Sequence, residues 1–136
     1  MRSALKTFGA VLAAIFLVPS AAQADEVVCK VQGVKKVSHV CGSILNPLGA
    51  PVSDAKVRIF KDGAEIGEVQ SDEKGKFSFD SLKEGNYEIL VLASGYASFD
   101  FYVVLANTDK KCKRALQIPL SIRASACKGN VRVAKP

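Results

Sequence analysis

The sequence predicts an all-β fold, a two-sheet antiparallel sandwich of about seven short strands. Apolar and polar side chains alternate with a period of two in several segments, and turn-forming residues recur about every 8–12 residues. Apolar spacing typical of a helix occurs only near the N-terminus. The alternation is clearest at Phe99, Phe101, Val103 and Leu105. We therefore expect a single β-domain.

The first half of the chain contains three of the expected strands. Residues 37–45 are β-rich and end at the Pro- and Gly-containing turn 46–51. Residues 55–60 alternate in polarity, and Asp62-Gly63 predicts a tight hairpin. In the strand after it, Ile66 and Val69 would face opposite sides, so we expect a bulge at Gly67.

The next two strands are separated by a short link. Residues 71–75 read as a turn, after which Phe77 and Phe79 share one face. Residues 87–92 carry apolar side chains on both faces, which is typical of a central strand. A further turn at 94–96 ends this pair of strands.

The last part of the chain returns to alternation. The strand 99–105 is followed by a charged loop at 107–114 and by alternating apolar residues at 116–122. Pro119 lacks an N–H, so this strand either lies at a sheet edge or has a local break in its ladder. A weak final strand is expected at 130–133.

Residues 1–24 are expected to be a cleaved export signal. Arg2 and Lys6 precede an uncharged apolar run at 8–18, and Ala22-Gln23-Ala24 is a small-x-small cleavage site. A run of about 11 residues is shorter than the roughly 20 that span a bilayer, so we expect no stable membrane anchor. Removing 24 of the 136 residues leaves a periplasmic or secreted chain of 112. That length can bury a core without a cofactor.

Four cysteines lie in the expected mature chain, and an even number suits two disulfides in an oxidising compartment. Three connectivities are possible, and we favour the nested scheme Cys29–Cys127 with Cys41–Cys112. A zinc site is not expected, because zinc sites use close cysteine pairs and eleven residues separate the nearest two cysteines here. The mature chain then divides into three parts: an N-terminal extension with Cys29 (25–40), the sandwich (41–122) and a basic C-terminal tail with Cys127 (123–136).

Charge is unevenly distributed along a chain with a net charge of +6. Acids predominate over residues 60–90, whereas residues 107–136 have eight cations against the single acid Asp109. Such asymmetry can steer association with an anionic partner, and a solvated edge and tail is the simpler interpretation. Nucleic acid is not an expected partner of an exported chain. The candidate anionic-partner patch comprises Lys110, Lys111, Lys113 and Arg114.

A set of Gly, Pro and aromatic positions between residues 42 and 105 follows a recognisable pattern. It reads Gly42-x-Ile44, Gly49-x-Pro51-Val52, Ala55-x-Val57, Ser71-Asp72, Gly75-x-Phe77, Phe79, Leu82-x-x-Gly85-x-Tyr87 and Gly95-Tyr96. This stretch resembles the carboxypeptidase regulatory-like domain family. The resemblance implies a prealbumin-like (transthyretin-like), seven-stranded Greek-key sandwich. It covers about 64 of the 112 residues of the expected mature chain.

The motif positions are expected to be structural. Gly49 and Gly75 supply positive φ angles for turns. Asp72 accepts hydrogen bonds from the turn backbone ahead of Gly75. Tyr87 and Tyr96 place a ring at the core and a hydroxyl at its edge. No reaction follows from these residues, and the four cysteines are not part of the family pattern.

Motifs for catalysis or for cofactors are not evident. A Ser-His-acid triad needs a histidine, and His39 is the only one; in an expected strand, it is best interpreted as a surface or packing residue. Neither Gly-x-Ser-x-Gly nor His-Glu-x-x-His occurs. Asp72, Glu73 and Asp80 offer oxygen ligands for calcium, but solvated turn acids are the simpler interpretation. We expect no cofactor and no catalytic or metal-binding residues.

Three functions are compatible with the sequence. The favoured one is an exported, disulfide-stabilised, non-catalytic module in extracytoplasmic binding, adhesion or structural support, with a protein or a glycan as partner. The first alternative is a module that binds starch-like glycans, with Tyr96, Phe99 and Tyr102 as an aromatic platform, although core packing better suits Phe99. The second alternative is a small secreted transthyretin-like hydrolase.

Overall fold

The computed structural model describes residues 28–122, 127 and 129–134, and these form nine strands. The expected export signal lies outside the described residues. The strands are β1 (Val28–Val37), β2 (Val40–Leu45), β3 (Lys56–Lys61), β4 (Ala64–Gln70), β5 (Lys76–Phe79), β6 (Gly85–Leu92), β7 (Ser98–Leu105), β8 (Leu116–Pro119) and β9 (Arg132–Val133).

Two sheets form a β-sandwich, which confirms the expected fold class. The larger sheet has the order β1-β7-β6-β3-β4, and the smaller has the order β5-β2-β8-β9. Alternate side chains of both sheets form one buried cluster. The largest fully buried side chains are Phe99, Phe101, Ile44, Ile59, Ile89, Leu116, Ile118 and Leu120.

Two strand pairs run parallel, although the sequence suggested antiparallel pairing throughout. β1 pairs with β7, and β2 pairs with β8, in parallel register. The members of each pair are far apart in the chain, so no hairpin forces them to run in opposite directions. Alternation shows which face of a strand is buried and does not show the direction of its neighbour.

The β3–β4 hairpin has the expected tight turn and bulge. Lys61 pairs with Ala64, and the two residues between them, Asp62 and Gly63, have φ angles of 50° and 81°. Positive φ at both positions is what a type I′ turn requires. The register then shifts beside Gly67, which places one extra residue in β4.

Residues 28–37, expected to lie in an extension before the sandwich, instead form β1 at one edge of the larger sheet. A register shift between Lys30 and Val34 interrupts the ladder to β7, and Gly33 has a φ of 86°. This irregularity breaks the period of two, so the strand has no clean alternation in the sequence. Only Cys29 and Val37 of β1 are buried.

Pro119 ends β8. Of the two effects expected from this proline, an edge position or a local break in the ladder, the break is observed. β8 lies between β2 and β9, so it is an interior strand. Its pairing with β9 covers only Leu116 and Gln117, so the ladder stops before the proline.

Candidate functional site

The basic loop, residues 107–114, connects β7 to β8 and presents the four predicted cations at the surface. Lys110, Lys111, Lys113 and Arg114 are all exposed. Lys113 Nζ lies 2.8 Å from a carboxylate oxygen of Asp109. The hydrogen bonds from Lys113 and from the Lys111 N–H hold the pKa of Asp109 below its ordinary value. Within the described residues, the other three cations make no ion pair.

Backbone hydrogen bonds attach the start of the basic loop to neighbouring segments. The Asp109 N–H donates to the Ser38 carbonyl at 2.9 Å. The Asn107 N–H donates to Glu84 Oε1 at 3.0 Å. The loop is therefore tied both to the β1–β2 connection and to the segment ahead of β6.

A disulfide between Cys41 and Cys112 attaches the middle of the basic loop to β2. A second disulfide joins Cys29 of β1 to Cys127. This is the nested arrangement among the three possible connectivities. Disulfides persist in oxidising compartments, so two of them indicate an extracytoplasmic environment. No helix within the described part of the chain has the length and apolar character to span a bilayer.

A groove of about 600 Å³ opens beside the basic loop, at the β1–β2 connection. Its polar lining includes His39, Asp80, Asp109 and Lys110, and apolar side chains such as Phe79 also line it. His39 lies in the two-residue connection and not in a strand, which corrects the sequence expectation. The pairing of β2 with β5 brings the end of β5 alongside this connection.

His39 is held by hydrogen bonds at both ring nitrogens. Its Nδ1 lies 2.8 Å from the main-chain oxygen of Asp109, and its Nε2 lies 2.8 Å from Ser78 Oγ. Asp80 Oδ1 is 3.5 Å from Nε2 and 3.3 Å from Ser78 Oγ. The His39 side chain is 10% exposed, whereas that of Asp80 is 82% exposed. The chain thus brings a serine, a histidine and a carboxylate together.

This cluster is not apparent from the sequence because its members are distant in the chain. His39 and Ser78 are 39 residues apart, and no local motif links them. The register of β2 against β5, in which Cys41 pairs with Ser78, is what places them together. The cluster could have been predicted only by pairing β2 with β5 in this register, which no local pattern in the sequence indicates.

The family-type motif residues lie in turns and in the core. Asp72 Oδ1 accepts hydrogen bonds from the Lys74 and Lys76 N–H groups, both at 2.9 Å. Gly75 has a φ of 71°, and Gly49 has a φ of 82°. The Tyr87 ring is buried, and its hydroxyl donates to a main-chain carbonyl. These residues therefore shape turns and the core of the sandwich.

The structure does not bring together the acids considered for calcium binding, nor the aromatic residues considered for glycan binding. Asp72 and Asp80 lie beyond opposite ends of β5, and no group of three or more potential ligands in the described residues is placed to hold a metal ion. Of the three aromatic residues considered for glycan binding, Phe99 is buried at 1% exposure, and Tyr102 is exposed on the opposite face of β7. The rings therefore do not form one platform.

Asp100 and Glu88 form an acidic pair on the outer face of the larger sheet. Asp100 is 6% exposed, and its Oδ1 has no hydrogen-bond partner in the described residues. Burial, and then the hydrogen bond and negative charge of Glu88, raise the pKa of Asp100 to about 6, partly opposed by Lys30. Asp100 and Glu88 are not among the residues that line the groove beside the basic loop.

One of three comparisons with known proteins shows the family of this chain. The comparison with curated proteins gives no match. Among solved structures, the chain is similar to 3-chlorocatechol 1,2-dioxygenase from Rhodococcus opacus 1CP, with 13% identity and a TM-score of 0.38. That similarity covers 81% of this chain and 64% of the other, and it carries no argument about function. The family model of the carboxypeptidase regulatory-like domain matches residues 39–117, more than half of the chain. The chain therefore belongs to the carboxypeptidase regulatory-like domain family.

Proposed function

We propose that this chain is an exported, non-catalytic binding module that engages an acidic surface of another extracytoplasmic protein through its basic loop. The sandwich is the scaffold, and the basic loop is the recognition element. The observation that carries the proposal is the Cys41–Cys112 disulfide, which fixes a loop bearing four exposed cations to the core strand β2.

Attachment of the loop supports binding because it lowers the entropic cost of association. A free loop must be ordered when a partner binds, and fixing the backbone of one residue costs about 1–2 kcal/mol. Here the loop backbone is already held by the disulfide and by the hydrogen bond of the Asp109 N–H to Ser38. Only the cationic side chains remain to be ordered.

The charge of the basic loop supports an anionic partner. Asp109 neutralises Lys113, which leaves Lys110, Lys111 and Arg114 for an incoming carboxylate. Exposed ion pairs contribute about 0.2–1 kcal/mol each, so the contacts would be individually weak and salt-dependent. Arg114 adds a planar guanidinium that can bind a carboxylate through two hydrogen bonds.

Binding to immobilised polyglutamate, a stand-in for an acidic protein surface, tests the proposal. The fourfold variant Lys110→Gln, Lys111→Gln, Lys113→Gln and Arg114→Gln should bind about tenfold more weakly than the wild type, since three or four exposed pairs are lost. Binding of the wild type should weaken as salt is raised.

A charge-matched variant separates the loop from net charge. Neutralising Lys56, Lys74, Lys76 and Lys83 removes the same four charges from exposed positions elsewhere. The proposal predicts that this variant keeps near-wild-type affinity. Equal weakening of both variants would show that only overall charge matters. Retention on an immobilised polyuronate but not on polyglutamate would assign a glycan partner instead.

A further inference from the structure

We propose that Ser78 is a nucleophile that accepts an acyl group from activated esters, with His39 as its general base. This covalent modification site goes beyond the proposed binding function and does not depend on the partner of the basic loop. It rests on the positions of His39, Asp80 and the Asp109 carbonyl, which lie in the groove beside the β1–β2 connection, and of Ser78 on the adjacent strand β5.

The hydrogen bond at Nδ1 defines the tautomer of His39. The main-chain oxygen of Asp109, 2.8 Å away, can only accept, so Nδ1 must carry a proton. In the neutral ring, Nε2 is then the nitrogen with the free lone pair. That lone pair faces Ser78 Oγ at 2.8 Å, which is the distance at which a general base accepts a hydroxyl proton.

The serine hydroxyl has one proton and two possible acceptors. The Ser78 Oγ to Asp80 Oδ1 distance is 3.3 Å, longer than the 2.8 Å to His39 Nε2, so the proton is directed toward the imidazole. A serine paired in this way with a histidine that is oriented by a third group has the arrangement of an activated nucleophile. Here a main-chain carbonyl takes the orienting position.

Asp80 stabilises the product of proton transfer. Once His39 is doubly protonated, the Asp80 carboxylate at 3.5 Å from Nε2 faces a positive charge. Its side chain is 82% exposed, so water screens this attraction. Asp80 is therefore a positioning and charge-stabilising group of secondary weight.

The base, His39, is largely buried, whereas the nucleophile, Ser78, is open to solvent. The His39 side chain is 10% exposed and packed in the groove, whereas Ser78 is an exposed residue of the edge strand β5. An incoming ester can reach Oγ while the imidazole stays oriented.

Acylation of Ser78 proceeds by addition to the ester carbonyl followed by loss of the leaving group. Ser78 Oγ forms a bond to the ester carbonyl carbon, and its proton moves to His39 Nε2. The bond between the carbonyl carbon and the leaving oxygen breaks, and the leaving group departs as a phenolate with the electron pair. The imidazolium then releases its proton to water, which leaves an acyl ester on Ser78 and a neutral His39.

The test treats the chain of residues 25–136, which lacks the expected export signal, with p-nitrophenyl acetate. Peptide mass spectrometry then maps the acetylated positions. The proposal predicts that Ser78 is acetylated faster than any other hydroxyl of the chain. Ser78→Ala removes the fast adduct. His39→Gln slows acetylation of Ser78 about 100-fold, in line with the usual contribution of a positioned base. Asp80→Asn slows it by a smaller factor.

Matched controls separate reactivity from folding. Ser43 lies in β2 two residues after Cys41, which pairs with Ser78, so Ser43 and Ser78 are on the same outer face of the smaller sheet. Within the described residues, no histidine is hydrogen-bonded to Ser43. Ser43→Ala should leave acetylation of Ser78 unchanged. Asp80 is exposed, so Asp80→Asn keeps the test informative even if His39→Gln lowers the melting temperature. Acetylation of Ser78 no faster than that of Ser43, or an unchanged rate in a folded His39→Gln variant, would overturn the proposal.

Discussion

Cys41 and Cys112 form a disulfide with Cα atoms 6.0 Å apart, which joins a buried position of β2 to the exposed basic loop. The two residues are 71 positions apart in sequence. The same strand position pairs with Ser78 and lies two residues after His39. One covalent bond therefore supports both the basic loop and the His39 groove.

Loss of this disulfide should destabilise the domain markedly. A bridge that closes a loop of this length is worth about 2–5 kcal/mol, mainly through the unfolded chain. We expect the double variant Cys41→Ala and Cys112→Ala to lower the free energy of unfolding by that amount in urea denaturation. An unchanged transition, in protein whose second bridge is verified intact, would contradict the structural role assigned to this disulfide.

Ser71→Ala should cost about 2 kcal/mol although it removes a single oxygen. The Ser71 hydroxyl donates to the Val52 carbonyl at 2.8 Å and accepts from the Ala55 N–H at 3.0 Å, at a residue that is 3% exposed. Without it, two main-chain groups lose a partner in the interior. Urea denaturation measures the loss, and the exposed Ser94→Ala is the control that should change little. Similar values for both would show that the hydroxyl is not needed.

Gly75→Ala should be more costly than Gly63→Ala, although both residues have positive φ. An added Cβ at Gly75 would lie 2.7 Å from the Ile44 carbonyl oxygen, whereas nothing lies within 4 Å at Gly63. The backbone penalty of about 1–2 kcal/mol applies to both, and only Gly75 adds a steric clash. Thermal melting of the two variants gives the comparison. An equal loss at both positions would mean that the turn shifts to make room.

Asp100→Asn should stabilise the protein above pH 6. The folded state keeps the Asp100 proton up to about pH 6, whereas the unfolded carboxyl loses it near its ordinary pKa of 3.8. The folded state thus binds more protons between these values, and the contribution of this group to stability falls as pH rises through them. Asparagine removes the charge that burial and Glu88 disfavour.

Thermal melts of the Asp100→Asn variant and the wild type at a series of pH values check this sign. The advantage of the variant should be greatest above pH 6 and should shrink as pH falls toward 3.8. Glu73→Gln, which removes a charge from an exposed turn, is the control. A variant that is less stable than the wild type at every pH would contradict the account of the acidic pair.

The buried faces of most strands could be predicted from local alternation. Phe77 and Phe79 of β5 are buried, as expected, and so are Tyr87, Ile89 and Val91 of β6. β1 was not recognised as a strand because a bulge near Gly33 interrupts its period. The burial of a face is a local property, and pattern reasoning captures it.

The candidate site was less accessible to sequence reasoning because it depends on pairings between distant strands. The exposed cations of the basic loop are visible as a charge cluster. Their attachment depends on contacts of Asp109 and Cys112 with residues about 70 positions away. The environment of His39 likewise follows from the β2–β5 register, which alternation does not encode.

The affinity of two disulfide variants for immobilised polyglutamate tests the central claim most directly. The first variant, Cys41→Ala with Cys112→Ala, removes the covalent attachment of the basic loop to β2. The second, Cys29→Ala with Cys127→Ala, removes the bridge that does not involve the loop. Both are measured at a temperature at which circular dichroism shows them folded. The account predicts about threefold or greater weakening for the first, since ordering the loop must then be offset on binding, and wild-type affinity for the second. Equal affinities for the two variants would contradict it.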